Sequence, residues 1–414
     1  MPSLDVLKRN PGLGAFLASR FAYVLGAGGA PVLLTLTTLD GGGSLTSLAF
    51  VLGAGAVPAI VGALISKWLS DRITTRGLLL STTALWVVAA ALTGVLLGFG
   101  VQSVAWLCVV SFVIELSAAL QYPSLGSYLP QIVRKEDLER ANSVKLFTTG
   151  AAGILGPALF SFTGGLLPVT AAWLVLAVVL LVSALPLQRL PRGQGFEADG
   201  AGVWGDLRDG WSYFWQSRGL WLVVVTSGVW HFVGWSVLTV AGPVLLRDGF
   251  DNLAAWGWLQ SALAAGSLVG ALVAGRLRPT RVATWALLSL CPPLVLGLLL
   301  ALEAPIAVLV GLAAVTGAGL SVGGVVWASA VQREVPPERL GQVFGYDYLF
   351  SEAVNPLGLL LIPVLVGLAG NEQDLLRLTS LGLLVLVVPL AVMAPVRLTA
   401  ARTAAGVGSG SAPS

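Results

Sequence analysis

Hydrophobic residues in this chain fall in long blocks separated by short polar breaks. A membrane crossing needs about 20 mostly apolar residues. Twelve blocks meet that length: 12–39, 46–69, 77–99, 102–128, 142–166 and 168–187, then 219–246, 254–275, 282–302, 305–331, 343–369 and 375–396. They are numbered spans 1 to 12. Only helices and closed barrels satisfy all their own backbone hydrogen bonds in lipid, and blocks of this length predict helices. The first block is too long for a signal-peptide core, so it is expected to remain as span 1. Span 11 is the most polar, holding Asp347, Glu352 and Pro356. The pattern predicts an N-terminal six-helix bundle (1–187), a linker (188–218), a C-terminal six-helix bundle (219–398) and a flexible tail (399–414).

Composition agrees with lipid burial. The chain is 56% hydrophobic and 10% charged, with a mean hydropathy of +0.88. Soluble domains carry about 25% charged residues, so these charges are too few to cover a water-exposed surface. The 51 glycines suit close helix packing in a membrane. Cys108 and Cys291 both lie inside apolar blocks and read as buried thiols. The single histidine, with no metal-ligand spacing and no phosphate-binding loop, argues against an enzyme and an ATP-driven pump. No metal or cofactor is expected. No basic run points to nucleic acid.

The distribution of charge sets a topology. With the N-terminus inside, 20 of the 23 lysines and arginines fall in inner segments, including Lys67, Arg72 and Arg76, and Arg276, Arg278 and Arg281. Arg247 and Arg377 fall outside, and Arg20 lies within span 1. Such a bias predicts both termini in the cytoplasm, in a multi-pass protein of the cell (inner) membrane. The partners expected are a small-molecule substrate, protons and the lipid bilayer, with the chain acting as a monomer.

The halves also repeat. Val133-x-x-Glu136-x-Leu138 follows span 4, and Val335-x-x-Glu338-x-Leu340 follows span 10, 202 residues later. Duplicated six-helix units are a mark of transporters built around a midplane site. In the linker, Trp204, Leu207, Trp211, Phe214 and Trp215 share one helical face, which predicts an amphipathic helix at the inner membrane surface. A plain connector with aromatic anchors is the alternative.

These residues resemble the major facilitator superfamily. Gly62-x-Leu64 with Ser70-Asp71-Arg72-x-x-x-Arg76 is similar to its loop 2–3 signature, although Thr74 and Thr75 depart from the usual residues. The resemblance implies a conformational gate at Asp71, Arg72 and Arg76. Gly150-x-x-Gly153-x-x-Gly156-Pro157 resembles the span-5 signature of the antiporters in that superfamily. The loops around Leu129-Pro130 and Val335-Pro336 resemble the exporter branch containing enterobactin and macrolide efflux proteins. The implied fold is the twelve-helix major facilitator fold, with two pseudo-symmetric bundles.

Ionisable residues inside the spans are the candidate site, since each costs at least about 2.5–3.5 kcal/mol to insert. Arg20 lies roughly 12 Å into span 1. Glu115 in span 4 is expected to pair with it, either as a proton- or substrate-binding carboxylate or as a fixed structural ion pair. Glu352 in span 11 is a second protonation or cation-binding candidate, with Tyr348 one turn earlier to hydrogen-bond it. Asp347 is expected in an inner gate. His231, in mid-span 7, reads either as a proton carrier or as a hydrogen-bonded packing residue. Trp230, Trp235, Tyr23 and Tyr122 suit an aromatic wall for an apolar or cationic ligand. Together these features predict a proton-coupled exporter of a drug, siderophore or secreted metabolite working by alternating access. An importer or uniporter of the same fold, and a non-transporting membrane receptor, are the alternatives.

Overall fold

The computed structural model describes residues 2–58, 73–192, 211, 213–274, 276–277, 279–336, 343, 346–347, 350–351 and 354–395. The described secondary structure is entirely helical. Span 1 is Pro11–Asp40, span 2 begins as Leu45–Gly53, and spans 3 to 6 are Thr75–Gly98, Val104–Ile132, Leu138–Leu166 and Val169–Leu187. Span 7 runs Arg218–Asp248 through an internal irregularity. Spans 8 to 12 follow: Ala254–Ala274, a broken pair Val282–Leu288 and Cys291–Ala301, Ile306–Glu334, Asn355–Ala369 with its preceding turns, and Glu372–Met393. The predicted blocks and the observed helices coincide to within a few residues at most ends.

Local chemistry starts several of these helices. Ser44, Thr74, Ser103 and Asn371 each accept a hydrogen bond from a backbone N–H in the first turn of spans 2, 3, 4 and 12. Each thereby satisfies a donor the helix cannot satisfy itself. The turns after spans 1 and 3 use Gly42 and Gly100 at φ 77° and 74°, where a side chain would be strained.

The packing pattern repeats between the halves. Span 1 packs on span 5, span 2 on span 4 and span 3 on span 6; correspondingly, span 7 packs on span 11, span 8 on span 10 and span 9 on span 12. Adding six to each number converts one set into the other, so the two bundles are pseudo-symmetric. The contacts between bundles obey the same exchange: span 2 meets span 11, and span 5 meets span 8. Glycines permit the closest approaches. A Cβ at Gly266 or Gly270 of span 8 would overlap backbone carbonyls of span 10 at Ala314 and Ala318. In lipid, where apolar contact with a neighbouring helix is no better than contact with acyl chains, such close packing does much of the holding. Span 1 is 67% buried across its apolar window and span 12 only 33%, which sets span 1 inside and span 12 at the rim.

The bundles are joined unevenly. On the side opposite the termini, Leu39, Leu45 and Leu48 share one apolar core with Val237, Val240 and Leu359. On the termini side, the core around Leu13, Phe16 and Leu129 holds, among those described, only N-terminal-bundle residues and Leu190 at the start of the linker. The core around Leu220, Val331 and Tyr346 likewise holds only linker and C-terminal-bundle residues. Arg247 reinforces the far-side junction. Its Nη1 donates to the carbonyls of Leu39 (3.3 Å) and Gly43 (2.7 Å), while Asp248 holds its other edge. The guanidinium thus caps the end of span 1 across the bundle interface, where the helix dipole favours a cation. The arrangement is closed on the far side.

The described end of the linker packs on the C-terminal bundle. Phe214 is fully buried in the C-terminal bundle, with its ring 5.2 Å from that of Tyr346. Trp211 stacks beside it and also meets Tyr346. Among the described residues of the apolar face, Phe214 is buried against protein, and Trp211 and Trp215 remain substantially exposed. Trp204 and Leu207 lie outside the described residues.

Replacing Arg247 with Gln removes charged hydrogen bonds worth about 1.5–3 kcal/mol. That loss should raise the far-side-open population by about ten- to a hundredfold. Spin labels at Thr46 and Ala254 should report it as a new long-distance component in pulsed-resonance measurements. An unchanged distance distribution would show that the apolar core alone keeps this side shut.

Candidate functional site

Polar and aromatic side chains gather around an opening inside the C-terminal bundle. Spans 7, 9, 10 and 11 surround a cavity of about 440 Å³, within the usual range for small-molecule sites. Its wall includes Ser227, Trp230, His231, Trp235, Trp327, Asp347 and Asn355.

Span 7 shapes one side. Over Trp230–Trp235 its hydrogen bonding widens to a π turn. Such bulges recur at functional sites. The Trp230 and Trp235 rings stack at 5.4 Å and 29°, and His231 meets Trp230 edge-on at 4.7 Å. Trp230 is fixed by its indole N–H donating to the Leu290 carbonyl at 3.0 Å, where span 9 breaks. His231 Nδ1 lies 2.8 Å from the Ser227 carbonyl. A carbonyl can only accept, so Nδ1 carries the proton.

The π turn also alters the partners of the His231 carbonyl. Ser236 Oγ donates to it at 2.9 Å and Asn355 Nδ2 at 3.1 Å. Asn355 Nδ2 also reaches Ser236 Oγ at 3.1 Å. Span 11 comes this close because Gly358 sits against span 7. A Cβ there would overlap the Phe232 carbonyl and stand 2.7 Å from Ser236 Oγ. The irregular backbone of span 7 is therefore satisfied in part by span 11.

Asp347 enters from the other side. Trp327 Nε1 donates to its Oδ2 at 3.2 Å, and Ser351 Oγ donates to its backbone carbonyl. Asp347, expected in an inner gate, lines the cavity wall, where it meets span 10. Tyr348 and Glu352 lie outside the described residues, as do Asp71 and Arg72.

The N-terminal candidates are arranged differently. Arg20 is buried and donates through Nη1 to Gln121 Oε1 at 2.8 Å. Its guanidinium carbon lies 4.6 Å from the centre of the Tyr23 ring. Gln121 passes the network on to Thr82 Oγ1 at 2.9 Å, and Thr82 donates to the Leu78 carbonyl. The expected Arg20–Glu115 ion pair is not among the described ion pairs. The register explains this: Gln121 is six residues, or roughly 9 Å, further along span 4 than Glu115. Glu115 instead packs against span 2, where a Cβ on Gly55 would overlap its Cγ. Tyr23 lies within electrostatic reach of both Arg20 and Glu115. It packs edge-on against Trp86, away from Trp230 and Trp235, so the expected aromatic wall is divided between bundles. The Tyr122 side chain lies outside those described.

Arg76 ties span 3 to the end of span 6 by donating to the Gln188 and Leu190 carbonyls at 3.2 and 2.9 Å. Gly150 faces open space, whereas Gly156 and Pro157 pack on span 1. A Cβ at Gly156 would overlap the Leu25 carbonyl, and one at Gly28 would stand 2.9 Å from Pro157 Cδ. Gly153 contacts the same helix at Val24 more loosely. Sequence reasoning missed Asn355, Trp327 and Arg247. A signal existed for Asn355, because an amide inside an apolar block must find partners. No local pattern marks which tryptophan faces a cavity.

Comparison with known proteins agrees with this architecture. Residues 16–358 match the sequence profile described as Major Facilitator Superfamily. No curated protein sequence matches the chain significantly. Among solved structures, the nucleoside transporter NupG aligns with a TM-score of 0.69 at 12% identity, covering 92% of this chain and 99% of that one. A POT family transporter in complex with a thioalcohol-conjugated peptide aligns at 0.68 and 11% identity, covering 92% and 95%. A bacterial homologue of the human lysosomal transporter Spinster, inward-facing and unoccupied, aligns at 0.60 and 13%, covering 93% and 95%. At these identities the likeness is one of fold.

Asn355→Leu should lower the thermal midpoint of the purified protein, corresponding to about 1–3 kcal/mol for a carbonyl that loses a buried donor. An unaltered midpoint would show that Ser236 alone satisfies the bulge.

Proposed function

This chain belongs to the Major Facilitator Superfamily, and from that premise we propose that it is a proton-coupled exporter of a small amphipathic molecule. A drug, a siderophore or a secreted metabolite is the class of substrate. The termini side faces the cytoplasm, in keeping with the 20 of 23 basic residues assigned to that side. The protein works as a monomer in the cell membrane.

The observation that carries this reading is the uneven junction of the bundles. They share an apolar core and the Arg247 clamp on one side, and separate cores on the other. Two rigid bundles that meet at one end are poised to rock between two states, as alternating access requires. The cavity, with an acid, an imidazole and three indoles on its wall, supports binding of a ligand with both polar and aromatic surface. Outward direction is supported by the span-5 glycine motif, whose Gly156 and Pro157 set the close contact with span 1. Glu115 is the proton-coupling carboxylate of the N-terminal bundle, with Glu352 as its counterpart in span 11.

Reconstitution tests the reading. In proteoliposomes with an imposed pH gradient, an antiporter accumulates substrate in the acidic compartment beyond the level of protein-free vesicles. Glu115→Gln should abolish that gradient-driven accumulation, by at least about tenfold in rate, if the carboxylate carries the proton. Normal transport with unaltered pH dependence in this variant would remove Glu115 from the mechanism. Accumulation in the alkaline compartment would establish proton cotransport, and equilibration indifferent to pH would establish a uniporter.

A further inference from the structure

We infer that the outward-facing groove between spans 8, 9 and 10 is a binding site for an anionic phospholipid of the termini-side leaflet. One acyl chain lies in the groove, and the headgroup phosphate meets Arg276 and Arg281. The inference holds for either direction of transport.

The groove has a volume of about 410 Å³. Span 8 contributes Val269, Gly270 and Val273 to it, and span 10 contributes Val315, Ala318 and Gly319. Span 9 adds Trp285, Pro292 and Ser289, whose hydroxyl is already turned to the Ala286 carbonyl at 2.7 Å. Val269 and Val315 are more than half exposed, so the groove opens on the outside of the bundle. Its depth comes from small residues and from a break. Spans 8 and 10 approach through their backbones at Gly270 and Ala318, and span 9 is interrupted between Leu288 and Cys291. A flat helix face touches a lipid chain on one side only. A channel touches it on several, and the dispersion contacts add up.

Position and length match one leaflet. Spans 8 and 9 are joined on the termini side. The groove starts there, at Val273 in the last turn of span 8 and Trp285 in the first turn of span 9. It reaches Pro292, ten residues beyond the start of span 9 at Val282, or roughly 15 Å deep. That is about half of a hydrocarbon core some 30 Å thick.

Charge at the mouth selects the headgroup. The Arg276 N–H donates to the Val273 carbonyl at 3.0 Å, and the Arg281 carbonyl accepts from the Trp285 N–H at 3.2 Å. Each arginine therefore stands one turn from a residue of the groove. Both are exposed, and neither belongs to a described ion pair. Span 10 ends on the same side with Arg333 and Glu334, whose charges cancel, so the described mouth stays cationic. A guanidinium matches a phosphate with two parallel hydrogen bonds. Trp285 is 43% exposed at the level where indoles favour the boundary between tails and headgroups. An apolar channel one leaflet long, with two arginines at its mouth, is complementary to a molecule with a long tail and an anionic head.

The test is native mass spectrometry of the purified, delipidated full-length protein, titrated with dioleoylphosphatidylglycerol or dioleoylphosphatidylcholine. The first lipid should give one adduct that saturates before the weaker shell of further lipids. Its affinity should exceed that of the second by roughly thirtyfold, since each basic group near the membrane surface contributes about fivefold. Arg276→Gln combined with Arg281→Gln should make the two lipids bind alike. Val315→Trp, which fills the groove from an exposed position and leaves both arginines in place, should remove the tight adduct. Anionic preference undiminished in the double variant, or a tight adduct undiminished in Val315→Trp, would overturn the assignment. So would a wild-type dimer that Val315→Trp dissociates, because the groove would then hold a second copy of this chain.

Discussion

A backbone carbonyl freed inside a bilayer must find a donor, because no water is there to supply one. That constraint makes the described chain a set of helices, and it shapes the one place where the helix of span 7 widens. At Trp230–Trp235 the i to i−4 ladder gives way, and the His231 carbonyl takes donors from Ser236 and from Asn355 of span 11. Within the bulge that turns His231 and two tryptophans toward the cavity, the Ser236 N–H keeps a bond to the His231 carbonyl, and Ser236 Oγ and Asn355 of span 11 add further donors. Gly358 admits Asn355 by bringing span 11 into backbone contact with span 7. Site geometry and helix packing are here the same set of contacts.

The same economy of close approach organises the whole molecule. Glycines on spans 5 and 8 bring backbones together with spans 1 and 10. These contacts build stiff bundles, while the connection between bundles is concentrated at one end. There, a shared apolar core and one arginine bridging two carbonyls provide the junction. Stiff units with a localised junction move as bodies, and that is the mechanical basis of the proposed transport cycle.

Buried charge follows a different logic in each bundle. Arg20 is held by the amide of Gln121 and the face of Tyr23, within a chain of hydrogen bonds that ends on a helix carbonyl. This network sits between spans 1, 3 and 4 and fastens them. Asp347 instead stands at the wall of a cavity, tied to an indole that also faces the opening. The first arrangement spends its polar groups on the protein itself. The second leaves a shaped space beside them.

The sequence by itself determined the number and limits of the spans, their grouping into six and six, and the residues that begin several of them. Those features follow from chain-local quantities: apolar length against bilayer thickness, cap chemistry, and the periodic recurrence of basic loops. It also singled out Arg20, Glu115, His231 and Asp347, because a charge or an imidazole in an apolar block is visible without neighbours. Only the tertiary structure decided which of these meet. The sequence count puts Arg20 and Glu115 at comparable depths, yet their helices present them to different partners, Gln121 and span 2. Asp347 and His231 lie 116 positions apart in sequence, and the packing of spans 7, 9, 10 and 11 brings both to one wall. Helical phase and interhelical register set such meetings, and both depend on which helix a small residue allows to come near. No window of a single helix contains that information.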